Sequence, residues 1–259
     1  MKIEKLVKKY DGKTVVNDVS FDIPKGKVTS LIGPNGAGKS TVMSIISRLI
    51  AADTGIVSFE GKALSKWESK ELAKHLAILT QSNNVQMKLT VEELVAFGRF
   101  PHSGGRINEI DKAKIDEAIS YMELDEFRER FIDELSGGQR QRAYIAMVIA
   151  QDTEYVLLDE PTNNLDAKAA MWLEDFLAEF ENTIIVVSHD RYFLNKVCTR
   201  ILDVDFGKIK LFVGNYDFWY ESSQLALQLA KDQNKKAEEK IAQLKEFIAR
   251  FSSNASKAK

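Results

Sequence analysis

A single cysteine, Cys198, stands among 259 residues, so no disulfide can form within the chain. That fits a reducing compartment. Its setting, Phe193-Leu194-Asn195-Lys196-Val197-Cys198, reads as helix, with the cysteine a small core residue rather than a reactive thiol. Neither sign of charge dominates: 36 Lys and Arg against 38 Asp and Glu leave a formal net charge of −2. Overall charge therefore gives no pointer to nucleic acid or an anionic membrane. No run of about 18 apolar residues occurs, so no transmembrane helix is predicted. The start, Met1-Lys2-Ile3-Glu4-Lys5-Leu6, lacks the apolar stretch of a secretory signal. Any work at a membrane is then expected to depend on docking to something else. With 44% hydrophobic and 29% charged residues, a globular core is the expectation, and the length suits one large domain or two small ones.

Against these absences one stretch stands out. Gly33-Pro34-Asn35-Gly36-Ala37-Gly38-Lys39-Ser40-Thr41 reads G-x-x-x-x-G-K-S, the phosphate-binding loop pattern. Val28 to Ile32 before it has strand character, and Thr41 to Leu49 after it can continue as helix. Strand, glycine loop and helix is the order the chemistry needs. The glycines let backbone N–H groups turn inward onto phosphate oxygens. The helix start adds its partial positive charge at the same point. Lys39 is expected to reach the β- and γ-phosphates, and Ser40 to hold Mg²⁺ through its hydroxyl.

The flanking regions have weaker signals. Residues 1 to 32 read as strands, with a turn at Pro24-Lys25-Gly26. Tyr10, just before the Asp11-Gly12 turn, fits a residue stacking on a nucleotide base and equally an ordinary half-buried tyrosine. A hairpin is expected over residues 53 to 64, a helix from Ser65 to Leu76, and a short buried strand Ala77-Ile78-Leu79 ending at Gln81. Residues 90 to 150 are expected to be mostly helical. Thr90 with Glu92 and Glu93 marks a helix start, Pro101 to Gly105 a loop, and Ala113 to Leu124 an amphipathic helix. Ser136 caps a further helix opening on Gly137 and Gly138. Each glycine costs a helix about 1 kcal/mol relative to alanine, which suggests close approach by a ligand, or else a plain loop-to-helix turn.

Tyr155-Val156-Leu157-Leu158 is an apolar run ending in Asp159-Glu160, an acidic pair at the end of a buried parallel strand. In open α/β sheets ligands sit outside the carboxyl ends of strands. Asp159 is expected to bind Mg²⁺, directly or through water, and Glu160 to orient or deprotonate a water. Thr183 to Ser188 is a further buried strand, followed by His189 at the same end of the sheet. An imidazole there suits contact with a γ-phosphate, and suits a surface histidine as well.

Taken in order, Gly33 to Ser40, Gln81, Leu135-Ser136-Gly137-Gly138-Gln139, Asp159-Glu160 and His189 resemble the motif set of the ATP-binding cassette ATPases, whose signature is Ser-Gly-Gly-Gln between the phosphate loop and the acidic strand. The resemblance covers nearly the whole chain. It implies an α/β P-loop NTPase fold: a RecA-like parallel-sheet core, an antiparallel β-subdomain and an inserted helical subdomain over about residues 82 to 150. The ATPase domain would span residues 1 to 220, and an amphipathic helical tail residues 221 to 259. The likeness implies ATP and Mg²⁺ as cofactors and a head-to-tail homodimer. In that dimer Ser136, Gly137, Gly138 and Gln139 of one subunit close on the ATP held by Gly33, Pro34, Asn35, Gly36, Ala37, Gly38, Lys39, Ser40 and Thr41 of the other. By the same likeness Tyr10 stacks on adenine, and Gln81 joins Ser40 and Asp159 around Mg²⁺ and senses the water. Asn164 and Asp166 lie on the loop crossing the dimer interface, and Glu160, His189, Gln81 and Lys39 carry catalysis.

Within the family the two parts of the chain resemble different relatives. Residues 1 to 166 are similar to the ATPase of a bacterial iron–siderophore importer, on the stretches Ile78 to Asn84, Met87 to Val91, Val95-Ala96-Phe97-Gly98-Arg99-Phe100-Pro101 and Leu135 to Gln151. Residues 171 to 259 resemble the ABC-F class, soluble tandem ATPases acting on the ribosome, on Met171 to Leu177, Ser188 to Leu194, Gly214-Asn215-Tyr216-Asp217 and Phe251 to Lys257. The expectation is a hybrid joined near residues 165 to 171. The second cassette and complete linker of an ABC-F protein do not occur within these residues. Ala237, Ile241, Leu244, Ile248 and Phe251 recur at helical spacing as one apolar stripe. From Lys231 to Lys259 eight Lys or Arg stand against four Asp or Glu, so the tail suits RNA phosphates, packing on the cassette, or pairing with another helix. The expected function is ATP hydrolysis coupled to iron–siderophore import, by a protein of the cytoplasm lying on the inner face of the membrane against permease subunits. The alternatives are action on the ribosome and a chimeric cassette with no intact partner.

Overall fold

The computed structural model describes residues 1–80, 88–205 and 208–255. Its contacts divide the chain after Tyr216. The first part holds two sheets. One is antiparallel, with strand order β2-β1-β4-β5, built from β1 (Lys2–Tyr10), β2 (Lys13–Asp22), β4 (Thr54–Phe59) and β5 (Lys62–Ala63). The other has six strands in the order β10-β9-β3-β8-β7-β6, from β3 (Val28–Ile32), β6 (Leu76–Leu79), β7 (Tyr155–Asp159), β8 (Thr183–Val187), β9 (Arg200–Asp205) and β10 (Lys208–Val213). Pairing is parallel from β9 to β6, and β10 closes the edge antiparallel. Every residue of β3 and β8 is buried, as expected of strands covered on both faces. The two sheets meet at an aromatic cluster in which Phe59 and Tyr155 pack edge to face with centroids 4.9 Å apart.

Each helix beside the core has a local reason to start where it does. α1 (Lys39–Ile46) follows Gly38, whose φ of 100° is open to glycine at little cost. α3 (Val91–Phe97), α5 (Glu109–Tyr121) and α6 (Gly137–Ala150) start at reciprocal capping boxes, Thr90 with Glu93, Asn108 with Asp111 and Ser136 with Gln139. Asp166 caps α7 (Ala167–Glu179), and Asp190 caps α8 (Arg191–Val197). The expected helix over Ser65 to Leu76 is corrected. Trp67 is extended, only Ser69–Leu72 forms α2, and Leu76 already belongs to β6. The loop expected at Pro101 is also corrected, because Phe100–Ser103 forms the short helix α4. Proline sits in its first turn, where the missing N–H has no partner to lose.

α3, α4, α5 and α6 form a helical lobe, pinned by a buried ion pair. Arg99 Nε donates to Asp111 Oδ1 at 2.9 Å, and its Nη1 donates to Ala150 O at 2.9 Å. Gly98 packs so tightly on α6 that a β-carbon would collide with Met147 O. The part after the division carries α9 (Tyr216–Ala255), a helix of 40 residues. No helix among the described residues is long and apolar enough to cross a membrane.

Candidate nucleotide site

The parallel strands set the site. β3 ends at Ile32 and the chain turns through Gly33, whose φ is 143° and whose β-carbon would run into Val204 O. Only glycine fits there. β7 ends in Asp159, and β8 ends beside Ser188 and His189. As a result Tyr10, Asn35, Gly36, Gly38, Lys39, Ser40, Thr41, Asp159, Glu160 and His189 line one cavity of about 490 Å³. Lys39, Asp159 and His189 stand 30 to 150 positions apart in sequence, and it is the parallel pairing of β3, β8 and β7 that makes them neighbours.

Lys39 is buried and donates from Nζ to Gly33 O at 2.8 Å and Pro34 O at 3.1 Å. Burial lowers its ammonium below the usual lysine range, against the pull of Glu160 and Asp159. Burial raises both carboxyls above the usual range. Lys39 and His189 oppose it at Asp159, and His189 opposes it most at Glu160. Glu160 is buried and receives the His189 backbone N–H at 3.3 Å, while His189 Nε2 lies 3.4 Å from Glu160 Oε1. The His189 ring itself is 61% exposed, free to turn toward a ligand.

Not every expected site residue lies in this cavity. Gly33 and Pro34 contribute carbonyls beneath it, and Ala37 is buried in the loop. Ser136, Gly137, Gly138 and Gln139 form the cap and first turn of α6, with Asn164 packed against the two glycines. Gln81 lies outside the described residues. Val15, Asn163 and Val187 also line the cavity. Sequence reasoning assigned them no contact with nucleotide, and only their nearness to Tyr10, Glu160 and Ser188 hinted at it.

The donor set suits a hard divalent cation. Ser40 and Asp159 offer oxygen ligands in one cavity, but no group of three or more His, Cys, Asp or Glu among the described residues could hold a metal alone. Mg²⁺ of the kind that keeps waters and takes substrate phosphates matches that sparse set. A second cavity of about 280 Å³ lies between α5, α6, α7 and the sheet, lined by Tyr121, Phe176, Phe180 and aliphatic neighbours. No glycine loop lines it.

A glycine loop between a parallel strand and a helix, with an acidic pair at the end of a nearby strand, defines a P-loop nucleotide-binding protein. The comparisons narrow this: the chain belongs to the ABC transporter family, whose profile matches residues 16–163, with a further ABC transporter profile over residues 202–259. It is 47% identical over 213 residues to the petrobactin import ATP-binding protein YclP of Bacillus subtilis (strain 168), covering 81% of this chain and 84% of that protein. It is 40% identical over 275 residues to the uncharacterized ABC transporter ATP-binding protein YkpA of the same organism, covering 97% of this chain and half the length of YkpA. Among solved structures it superimposes on the cassette MJ0796 with a TM-score of 0.72 at 28% identity, over 82% of this chain and 97% of that one. MJ0796 is a dimer there, and was also solved as a dimeric post-hydrolysis state bound to ADP and Pi.

Proposed function

We propose that this chain is the ATP-binding and ATP-hydrolysing subunit of an importer for iron–siderophore complexes. The observation that carries it is the joining of the phosphate loop, Asp159, Glu160 and His189 in one cavity, in a chain 47% identical to a petrobactin import protein. Lys39 exchanges the carbonyls of Gly33 and Pro34 for phosphate oxygens. Tyr10, 45% exposed at the cavity rim, stacks on the adenine. Ser40 and Asp159 hold Mg²⁺, with Gln81 assigned to the same ion. When bound, the ion would neutralise charge on the phosphate oxygens. Glu160 accepts a proton from the attacking water, helped by a carboxyl already raised by burial. His189 places that water against the γ-phosphate.

We assign the working form as a head-to-tail homodimer in which Ser136, Gly137, Gly138 and Gln139 meet the partner's nucleotide and Asn164 and Asp166 lie at the interface. The dimer docks on permease subunits at the cytoplasmic face of the membrane. The match to YkpA runs through both parts of the chain and so speaks against a hybrid, and none of these relatives lends support to a ribosomal partner. The test is uptake. In a strain lacking its own petrobactin import ATPase, this chain is expected to restore ATP-dependent petrobactin uptake, and the Glu160→Gln form is not. Co-purification with ribosomes and no uptake would reject the importer reading.

A further inference from the structure

A side chain of the Ser136-to-Gln139 helix bonds to the turn that follows Glu160. Gln141, in the second turn of α6, donates from Nε2 to Pro161 O at 3.2 Å. Pro161 is buried and directly follows Glu160. Glu160 has a φ of 50°, a left-handed conformation that a non-glycine residue holds only when its surroundings over-determine it. Several restraints meet there. Glu160 N–H donates to Val187 O at 2.8 Å, and Asn163 N–H closes the turn on Glu160 O at 3.2 Å. Pro161 fixes its own φ through its ring, so the remaining freedom just after Glu160 is the direction of the Pro161 carbonyl. Gln141 holds that carbonyl. Further along the same turn Asn164, with a φ of 64°, lies under the helix start, where a β-carbon on Gly138 would come within 3.2 Å of Asn164 O.

We infer that Gln141 is a positioning residue for the hydrolytic step, tying the Glu160 turn to the helix that carries Ser136 to Gln139. The inference rests on the proposed ATPase reading and adds to it. In a head-to-tail dimer the tip of α6 meets one nucleotide while the Glu160 turn serves the other. A displacement of α6 on closure is then delivered through Gln141 to the carboxylate of its own chain. Gln141 touches neither substrate nor the reacting atoms, so its loss lowers turnover without weakening nucleotide binding.

The experiment is steady-state Mg-ATP hydrolysis by the full chain, with thermal melting of each variant. Gln141→Met keeps the length and removes the donor. It is expected to lower kcat roughly tenfold while KM for ATP stays within about twofold. Gln141→Lys keeps a donor at similar reach and is expected to retain most of the rate. In the Glu160→Gln background, Gln141→Met is expected to cause no further loss of residual turnover, because its route of action is already gone. The inference is overturned by unchanged kcat in Gln141→Met, by an equal fall in the Glu160→Gln background, or by Gln141→Lys behaving like Gln141→Met. Should Gln141→Met be recovered unfolded, Gln141→Asn, whose amide stops one methylene short, gives the same reading. A wild-type chain that binds Mg-ATP and never hydrolyses it would instead remove the proposed function, and this inference with it.

Discussion

Arg99→Met is expected to be among the most damaging single substitutions outside the nucleotide cavity. Arg99 and Asp111 are 5% and 1% exposed, so neither charge has water to fall back on. Removing one partner of a buried pair costs about 3–5 kcal/mol, because the other charge is left uncompensated. The lost bond to Ala150 O adds about 1 kcal/mol. Set against a typical total of about 5–15 kcal/mol for a domain, that is enough to loosen α5 and the end of α6 from the segment around Arg99 within the helical lobe. The pH dependence gives a second reading. Burial pushes the Asp111 carboxyl up, but the Arg99 guanidinium and the Asn108 backbone N–H outweigh it, and the carboxyl lies below its usual range. Its contribution is therefore present above the unfolded carboxyl's pKa and is lost as pH falls through the depressed native value. Without Arg99, burial is opposed only by the Asn108 backbone N–H and the weaker pull of His102, and the carboxyl is expected to rise, so acid relieves the variant while it harms the wild type. Urea unfolding across pH should show the two curves converging toward acid. Arg99→Met combined with Asp111→Leu should recover most of the loss. A cost under about 1 kcal/mol at neutral pH, or a cost that grows in acid, would refute the reasoning.

Two further outcomes follow from the same burial arguments. Glu160→Gln should slow hydrolysis by at least about a hundredfold while leaving an ATP-bound dimer that closes. It should also melt higher than wild type at neutral pH. The Glu160 carboxyl is raised by burial, so wild-type stability is lost as pH rises through that raised value, and the advantage of the variant should vanish below the usual carboxylate range; calorimetric melting at several pH values reads both. Cys198 is buried and its thiol is pushed up to about 12 by that burial. An aromatic disulfide reagent should label it only as fast as the chain unfolds, and stoichiometric labelling of the folded protein would contradict this placement.

Much of the site was legible because its signals are local. The loop from Gly33 to Thr41 carries its strand and helix on either side, and Ser136 with Gln139 states its own helix cap. The sheet itself was legible where strands are mostly apolar, as in β3, β7 and β8. The β9–β10 hairpin was not, because Lys208, Lys210 and Val213 are edge residues with little apolar alternation. The Arg99–Asp111 pair was hidden for another reason. The partners stand 12 residues apart, a spacing that no helical or strand period marks, and only the folding of α5 back on α3 brings them together. Val15 and Val187 escaped notice because an apolar residue at the rim of a polar cavity looks like any core residue. The Ser65 to Leu76 stretch misled because good helix formers there are overruled by Trp67, whose ring packs against Phe59 with centroids 5.3 Å apart.

All of this depends on a triphosphate being held by the loop that ends in Lys39. Equilibrium titration of the purified chain with a fluorescent ATP analogue and Mg²⁺, beside Lys39→Ala, measures that directly. Saturable binding is predicted for the wild type, weakened by more than about tenfold in Lys39→Ala. Absence of binding, or equal binding by both proteins, would contradict the account.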